Sequence, residues 1–456
     1  MVRIAGLALA AAWALAPVGV CAQTPVNINA LKGLAPVSLL NKTYASRAAL
    51  GSDLAVTRGI QVGAIRQPTL LPLALQRQQA LQDAYITDGN LAQLADGLGT
   101  TLGAAYQARA HYTDRDHFTS VSQAVADLIA YTNATTGSDS NSGKYFFANG
   151  TTDGKAPVSD EAAAILKQRG GVTDIFGVGY GRPAGTPGAD AFGNSRPFQT
   201  IPDLVTFTGP DYFGTPADNT VYNRGPISNL IDSPSFPSGH TTYGYMGSLV
   251  LAVLVPQRYQ QMIARGAEYG NDRILMGAHY AMDVLGGRTL ATHDLAHLLA
   301  NDPLYVNRPL LTGANRSGGN TVADYRAAVA TARADVKAAL EAGCGKALDV
   351  CAKEDIGRFG DPAANEAFYN TTQTYGLPVV YPETAGKVED VGQLAPEAGY
   401  LLTVAFPYLS LDQANRVLTE TEGPGGGFLD DGSAFGVYSR LNLYAAAGRA
   451  AALAPK

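Results

Sequence analysis

Pro237-Ser238-Gly239-His240 and, further on, Arg273, five residues, His279, three residues, Asp283 are the two runs around which the rest of the chain is read. Ser238 follows a proline-bounded turn and opens a predicted helix that runs to Val255 and stops at Pro256. A helix start presents unpaired N–H groups and the positive end of the dipole, a favourable place for an anion. Gly239 lets the backbone approach an oxyanion, the Ser238 hydroxyl can donate to it, and His240 is placed to act as a general acid. His279 and Asp283 stand four apart, so on a helix they share one face. An aspartate accepting from one imidazole nitrogen leaves the other free to attack. Arg273 can clamp two oxygens at once. Anion clamp, oriented nucleophile and general acid are the parts that phosphoryl transfer needs.

The chain has 456 residues, 46% hydrophobic and 16% charged, enough for a sizeable core. Its formal net charge of −6 argues against non-specific nucleic-acid binding, which needs a basic face. Residues 1–22 read as a secretory signal: Arg3, an apolar run from Ile4 to Leu15, and Val20-Cys21-Ala22 before the cut. A lipoprotein reading of Cys21 is weaker, because Val20 is bulky where such sites take a small residue. Trp13, the single tryptophan, would leave with the leader. Met246 to Val255 suits a buried helix and is too short to span a bilayer, so no transmembrane segment is expected in the mature chain. The expected location is periplasmic or secreted. There Cys344 and Cys351 would pair as a disulfide. Seven residues of unbroken helix would separate them by about 10 Å, so the helix must break, with Gly343 and Gly345 placed to break it. The short loop makes this a structural staple contributing about 2–3 kcal/mol.

Along the chain, 23–65 reads as a turn-rich, surface-draped lead-in. Leu71 to Gln107 reads as two helices broken near Thr87-Asp88-Gly89, and Phe118 to Tyr131 as another. Thr135 to Gly143 and Asn149 to Lys155 read as polar loops, Asp160 to Arg169 as a short helix, and Gly170 to Gln199 as a long loop of the kind that carries function. Gln257 to Ala267, Tyr280 to Leu299, Val322 to Ala342, Leu411 to Thr419 and Arg440 to Ala452 are predicted helices. The class is all-α.

The two runs resemble the PAP2 superfamily, which includes class A acid phosphatases, lipid phosphate phosphatases and vanadium-dependent haloperoxidases. Its second motif, P-S-G-H, is matched in full. Its third, S-R, five residues, H, three residues, D, is matched at Arg273, His279 and Asp283, with Asp272 in place of the serine. Its first is a lysine, six residues, then R-P: Arg196-Pro197 supplies the end, but Ala189 stands where the lysine belongs. The resemblance covers roughly residues 170–300. It implies a helical bundle with the site at the ends of its central helices. It also implies His279 as nucleophile, Asp283 as its orienter and His240 as acid and later base. Arg196, Arg273, Ser238 and Gly239 would be the phosphate-binding residues. The missing lysine implies either a weaker enzyme or a replacement cation such as Arg182 or Lys167 folding in from the loop. The organisation expected is a 1–22 signal, an N-terminal helical region over 23–159, a core over 160–302 and a less regular extension over 303–456.

On this reading the chain is an exported phosphatase acting on a phosphate monoester or lipid phosphate through a phosphohistidine, with no cofactor and no metal. Vanadate would inhibit it. The alternatives are a vanadium-dependent haloperoxidase, with vanadate as cofactor, and a non-catalytic phosphate-binding protein. His293 and His297 resemble a zinc-binding helix only superficially, because the general-base glutamate is absent. Asp430-Asp431-Gly432 reads as a turn. The oligomeric state is not legible.

Overall fold

The computed structural model describes residues 27–66, 70–85, 89–115, 117–171, 174–220, 229–308, 321–355 and 357–455. The leader expected over 1–22 and the break at Thr87-Asp88 lie outside the described residues. The principal helices are α1 (Ile28–Leu34), α2 (Tyr44–Val62), α3 (Leu73–Gln82), α4 (Thr100–Gln107), α5 (Gln123–Asn149), α6 (Asp160–Gln168) and α7 (Gly239–Leu254). They continue with α8 (Tyr259–Leu275), α9 (Ala281–Leu299), α10 (Tyr325–Cys344), α11 (Leu348–Glu354), α12 (Pro362–Thr374), α13 (Leu411–Glu420) and α14 (Leu443–Ala452). Among the described residues the extended structure is one antiparallel ribbon, Thr208–Pro210 against Pro216–Asp218, and two isolated bridges. The fold is the all-α one expected, and no helix among the described residues is long and apolar enough to cross a membrane.

The centre is α7. The Ser238 hydroxyl caps it by accepting the Thr241 N–H at 3.0 Å, and it ends at Val255, before a proline with no N–H to continue the ladder. Nearly every residue of α7 is buried, because α5, α8, α9 and α10 pack around it. One apolar core joins Met246, Leu249 and Val253 of α7 to Val329 and Val336 of α10 and to Ala446 and Ala450 of α14. The C-terminal helices α12 and α14 lie on α8, so part of the extension builds the wall behind the central helices.

Three expectations need correction. The lead-in is not draped over the surface: α1 and α2 are folded against the core, with Leu31, Leu34 and Leu50 buried. Helix α8 runs past Ala267 to Leu275, because Ile274 and Leu275 continue its buried face, and it stops at Gly277 in the left-handed region (φ +71°). Most consequentially, the predicted loop over Thr135 to Gly143 is the middle of α5. Its small polar residues look loop-like, yet the Thr135 and Thr136 hydroxyls bond back to the Tyr131 and Thr132 carbonyls at 3.0 and 3.1 Å. A side chain on Gly137 would meet the Tyr243 hydroxyl at 2.3 Å. The composition reflects tight packing rather than a turn.

Cys344 and Cys351 form the expected disulfide, with Cα atoms 6.4 Å apart. The break is at Gly345, in the left-handed region (φ +75°), where α10 ends. Gly343 stays helical, and a β-carbon on it would lie 2.4 Å from that of Ala105 on α4.

The start of α9 is fixed from two sides. Asp283 Oδ2 accepts the Tyr280 N–H at 2.8 Å, Thr57 Oγ1 the Ala281 N–H at 3.0 Å, and Asp53 Oδ1 the Met282 N–H at 2.9 Å. Helix α2 thus satisfies N–H groups that α9 cannot satisfy itself. On its other side Gly287 lies against the start of α7, where a β-carbon would stand 2.6 Å from the Ser238 carbonyl oxygen. Gly287→Ala is therefore expected to cost about 1–3 kcal/mol in urea unfolding, since backbone rather than a movable side chain is in the way.

Burial pushes the Asp53 carboxyl up to about 8, opposed by its bond from Tyr180 and reinforced by Asp283. An unfolded aspartate titrates near ~3.9, so between these values the folded state binds the extra proton and stability falls as pH rises. Asp53→Asn keeps an acceptor for Met282 and removes that titration. Its unfolding free energy is expected to fall less between pH 5 and pH 8 than that of the wild type, measured by urea titration at both.

Candidate active site

The two sequence runs meet where α7 and α9 begin. The Ser238 N–H donates to the Asp283 carbonyl at 3.0 Å, joining the first turn of one helix to that of the other. The His279 ring lies between its partners: Nδ1 is 3.3 Å from Asp283 Oδ2 and 3.4 Å from Ser235 Oγ, and Ser235 Oγ itself donates to Asp283 Oδ2. Nε2 is 3.0 Å from Arg196 Nη1 and 3.2 Å from His240 Nδ1. A guanidinium can only donate, so Nε2 holds a lone pair and the proton sits on Nδ1, facing the carboxylate. His240 keeps part of its surface exposed, whereas His279, Asp283, Arg196 and Arg273 are buried.

Arg196 is fixed by backbone. Nε donates to the Ser233 carbonyl at 2.7 Å, Nη1 to that of Ala278 at 3.0 Å, and Nη2 to Ser233 Oγ at 3.1 Å. The long loop delivers it: Asp174 accepts the Gly177 and Asn194 N–H groups, and the Asn194 carbonyl accepts the Ser235 N–H at 2.9 Å. Arg273 comes from the last turn of α8, held over the Tyr269 ring at 4.8 Å and donating to the Ala80 carbonyl at 3.2 Å. All seven residues singled out from the sequence at this site therefore converge, Gly239 and Ser238 through the α7 N-terminus.

Asp272, in the serine position of the third motif, turns away from this cluster. It is buried beside Asp83 and Glu268, and burial, with the charge of those two acids, holds its carboxyl well above the usual range. Arg265 pairs with Asp83 at 2.6 Å and Asp96 at 2.7 Å, and Arg358 with Asp96 and Glu268 at 2.6 Å, so this side of α8 is a structural ion network.

The replacement cations expected from the sequence are elsewhere. Arg182 donates to the Pro187 carbonyl at 3.0 Å in an exposed part of the loop, and Lys167 is exposed on α6. The cation beside the site is Lys144 of α5, buried to 6% exposure, whose Nζ lies 3.6 Å from the place a β-carbon on Gly239 would take. It directly follows the stretch expected to be a loop, Thr135 to Gly143, and so was not placed on a helix. Helical spacing from the buried Val125, Leu128, Tyr131 and Thr132 through to Phe147 and Ala148 was the available signal.

Burial first, and then this density of positive charge, set the titrations. Burial, then Arg196, His240, Lys144 and Arg273, hold His279 well below its ordinary value; burial, then Arg273, Arg196 and Lys144, do the same to His240. Burial also pushes the Asp283 carboxyl up to about 6, against its bonds from Ser235 and Tyr280. Without an anion both imidazoles are neutral at neutral pH.

His293 and His297 do other work: His293 Nδ1 lies 3.1 Å from Asp294, and His297 lies between Asp302 at 2.7 Å and Glu397 at 3.3 Å. Asp430 accepts the Gly426 N–H and faces Arg440, in a turn with Gly432 at φ +79°.

A family model described as PAP2 superfamily matches residues 187–300. A non-specific acid phosphatase of Salmonella typhimurium is 44% identical over 71 residues, 16% of this chain and 28% of that protein. An acid phosphatase of Zymomonas mobilis is 42% identical over 64 residues, 14% of this chain and 24% of that protein. A non-specific acid phosphatase of Providencia stuartii is 36% identical over 72 residues, 16% and 29%. The chain thus spans about a quarter of the length of these curated relatives. Residues 187–300, which carry His240, His279, Asp283, Arg196 and Arg273, are thus the part of this longer helical chain that is similar to the PAP2 superfamily.

Proposed function

We propose that this protein is an exported, metal-independent phosphatase that hydrolyses phosphate monoesters through a phosphohistidine. The observation that carries the reading is the His279 ring, with Nδ1 toward Asp283 and Nε2 held as a lone-pair nitrogen among Arg196, His240 and the α7 N-terminus. The names of the matched relatives support the substrate class, and the sequence of residues 1–22 supports export.

In the proposed reaction Nε2 attacks phosphorus as the ester oxygen departs, and His240 gives that oxygen a proton. The P–N bond forms as the P–O bond breaks, and Asp283 stabilises the positive charge on the His279 ring. Water then attacks the phosphohistidine with His240 taking its proton, which releases phosphate and restores both rings. Arg196, Arg273, Ser238 and Gly239 would hold the phosphoryl oxygens. The Ser238 hydroxyl accepts from Thr241, which leaves its own hydrogen to donate. A bound phosphate also supplies the negative charge that lifts His240 toward its ordinary value, so the acid is armed by the substrate.

His279→Ala is expected to abolish phosphate release from p-nitrophenyl phosphate, and acid-labile radiolabel on the wild-type protein should disappear with it. Release unchanged in His279→Ala would defeat the nucleophile assignment, and loss of wild-type activity in EDTA would defeat metal independence. Bromination of monochlorodimedone with vanadate and peroxide, in place of phosphate release, would point to the haloperoxidase.

His240→Gln is expected to cost about 10²–10⁴-fold in kcat on an alkyl phosphate. The cost should be much smaller on p-nitrophenyl phosphate, whose leaving group needs no proton. Because burial and then the surrounding cations depress His240, the wild-type kcat/KM on the alkyl ester should fall on the alkaline side, with a midpoint below the ordinary histidine value of about 6.5. A pH profile across phosphate esters checks both.

A further inference from the structure

Lys144 is a buried lysine with no carboxylate in contact, and Asp283 and Asp190 favour its charged form only from a distance. Among the described residues its ammonium has no hydrogen-bond acceptor and no carboxylate within 4.0 Å. A buried ammonium in that position is costly unless something anionic joins it. One turn before it on α5, Ser140 is 1% exposed, and its hydroxyl also has no partner. Both face the same point. A β-carbon built on Gly239 would lie 3.4 Å from Lys144 Cε, 3.5 Å from Ser140 Oγ and 3.6 Å from Lys144 Nζ. That point is the first turn of α7, next to His240, and the absence of a side chain there is what lets the lysine in.

We infer that Lys144 and Ser140 of α5 complete the oxyanion pocket, occupying the role left empty by Ala189 and holding a phosphoryl oxygen opposite Arg196 and Arg273. The inference rests on the phosphoryl-transfer reading of the site. Its grounds are the two unpartnered groups, their common aim at Gly239, and the remoteness of Arg182 and Lys167. The electrostatics point the same way: burial first, then Arg196, push the Lys144 amine well below its ordinary value, and an arriving phosphate dianion would reverse that. In this arrangement the cation comes from a rigid helix 45 positions before Ala189, not from the glycine-rich loop.

The test compares the full-length wild type with Lys144→Met, Lys144→Arg and Ser140→Ala. The inhibition constant of inorganic phosphate and the KM for p-nitrophenyl phosphate are measured beside the thermal midpoint with and without vanadate. For Lys144→Met the phosphate constant should weaken about 10–100-fold, the value of a lost charge-assisted hydrogen bond. Ser140→Ala should weaken it by a smaller factor, and Lys144→Arg should restore much of the affinity. Because the lysine is unpaired without an anion, Lys144→Met should keep or raise the thermal midpoint of the free protein and lose most of its rise with vanadate. A lowered midpoint with an unchanged phosphate constant would make Lys144 structural and overturn the assignment. If Lys144→Met does not fold, Lys144→Gln takes its place, and an unchanged phosphate constant in both Lys144→Gln and Ser140→Ala overturns the assignment equally. A wild type that neither hydrolyses phosphate esters nor binds phosphate or vanadate would instead defeat the phosphatase reading itself. A wild type that does both, beside variants that match it, defeats only the role given to α5.

Discussion

The hydrogen bond from the Ser238 N–H to the Asp283 carbonyl is the contact on which the site depends. It joins two helix starts that are far apart in sequence, and so sets His240 against His279 within 3.2 Å. The contact is possible because Gly287 leaves room for the Ser238 carbonyl and because the N–H groups of α9 have partners of their own in Thr57, Asp53 and Asp283. Asp283 is therefore a helix cap and a histidine orienter at once. That dual use explains the i, i+4 spacing: one carboxylate oxygen reaches both the N–H of Tyr280 and the ring of His279.

Once the two helix starts are joined, the surroundings are arranged for an anion. Arg196 is held by the Ser233, Ala278 and Pro234 carbonyls, so its guanidinium is positioned without a carboxylate competing for its charge. Arg273 is held by a ring face and one carbonyl. The contrast lies about two turns earlier on the same helix, where Arg265 and Arg358 are matched by Asp83, Asp96 and Glu268. Pairing there stabilises α8 against its neighbours, while withholding a carboxylate from Arg273 leaves it available. The neutral histidines follow directly, since adding protons to a site already rich in cations is unfavourable.

What was legible in the sequence was the chemistry carried by short spacing. Pro237 to His240 and His279 to Asp283 could be assigned because each spacing maps onto about one helix turn, and Arg273 and Arg196-Pro197 because arginines at those places completed the pattern. The all-α class and the broken helix between Cys344 and Cys351 were legible for the same reason. What failed was tertiary. Thr135, Gly137, Asp139 and Gly143 have poor helix propensity, and nothing local says that α7 will pack tightly enough to need small residues there. Likewise Asp53 and Thr57 carry no periodicity that announces a cap on a helix more than 200 positions away.

The error at α5 was also what concealed Lys144, and the two have one physical origin. A helix that must lie close against the start of α7 has to be built of glycine, serine and threonine on that face. The one long side chain on it, Lys144, then has nowhere to go but along Gly239 toward the anion site. The low-propensity composition is thus the requirement for placing a cation at the site from a rigid element. A lysine in the glycine-rich loop would have to be ordered by the ligand, whereas one on a packed helix is ordered beforehand. Pre-ordering costs stability in the empty protein, through burial of an unpaired charge, and returns it as affinity when the anion enters.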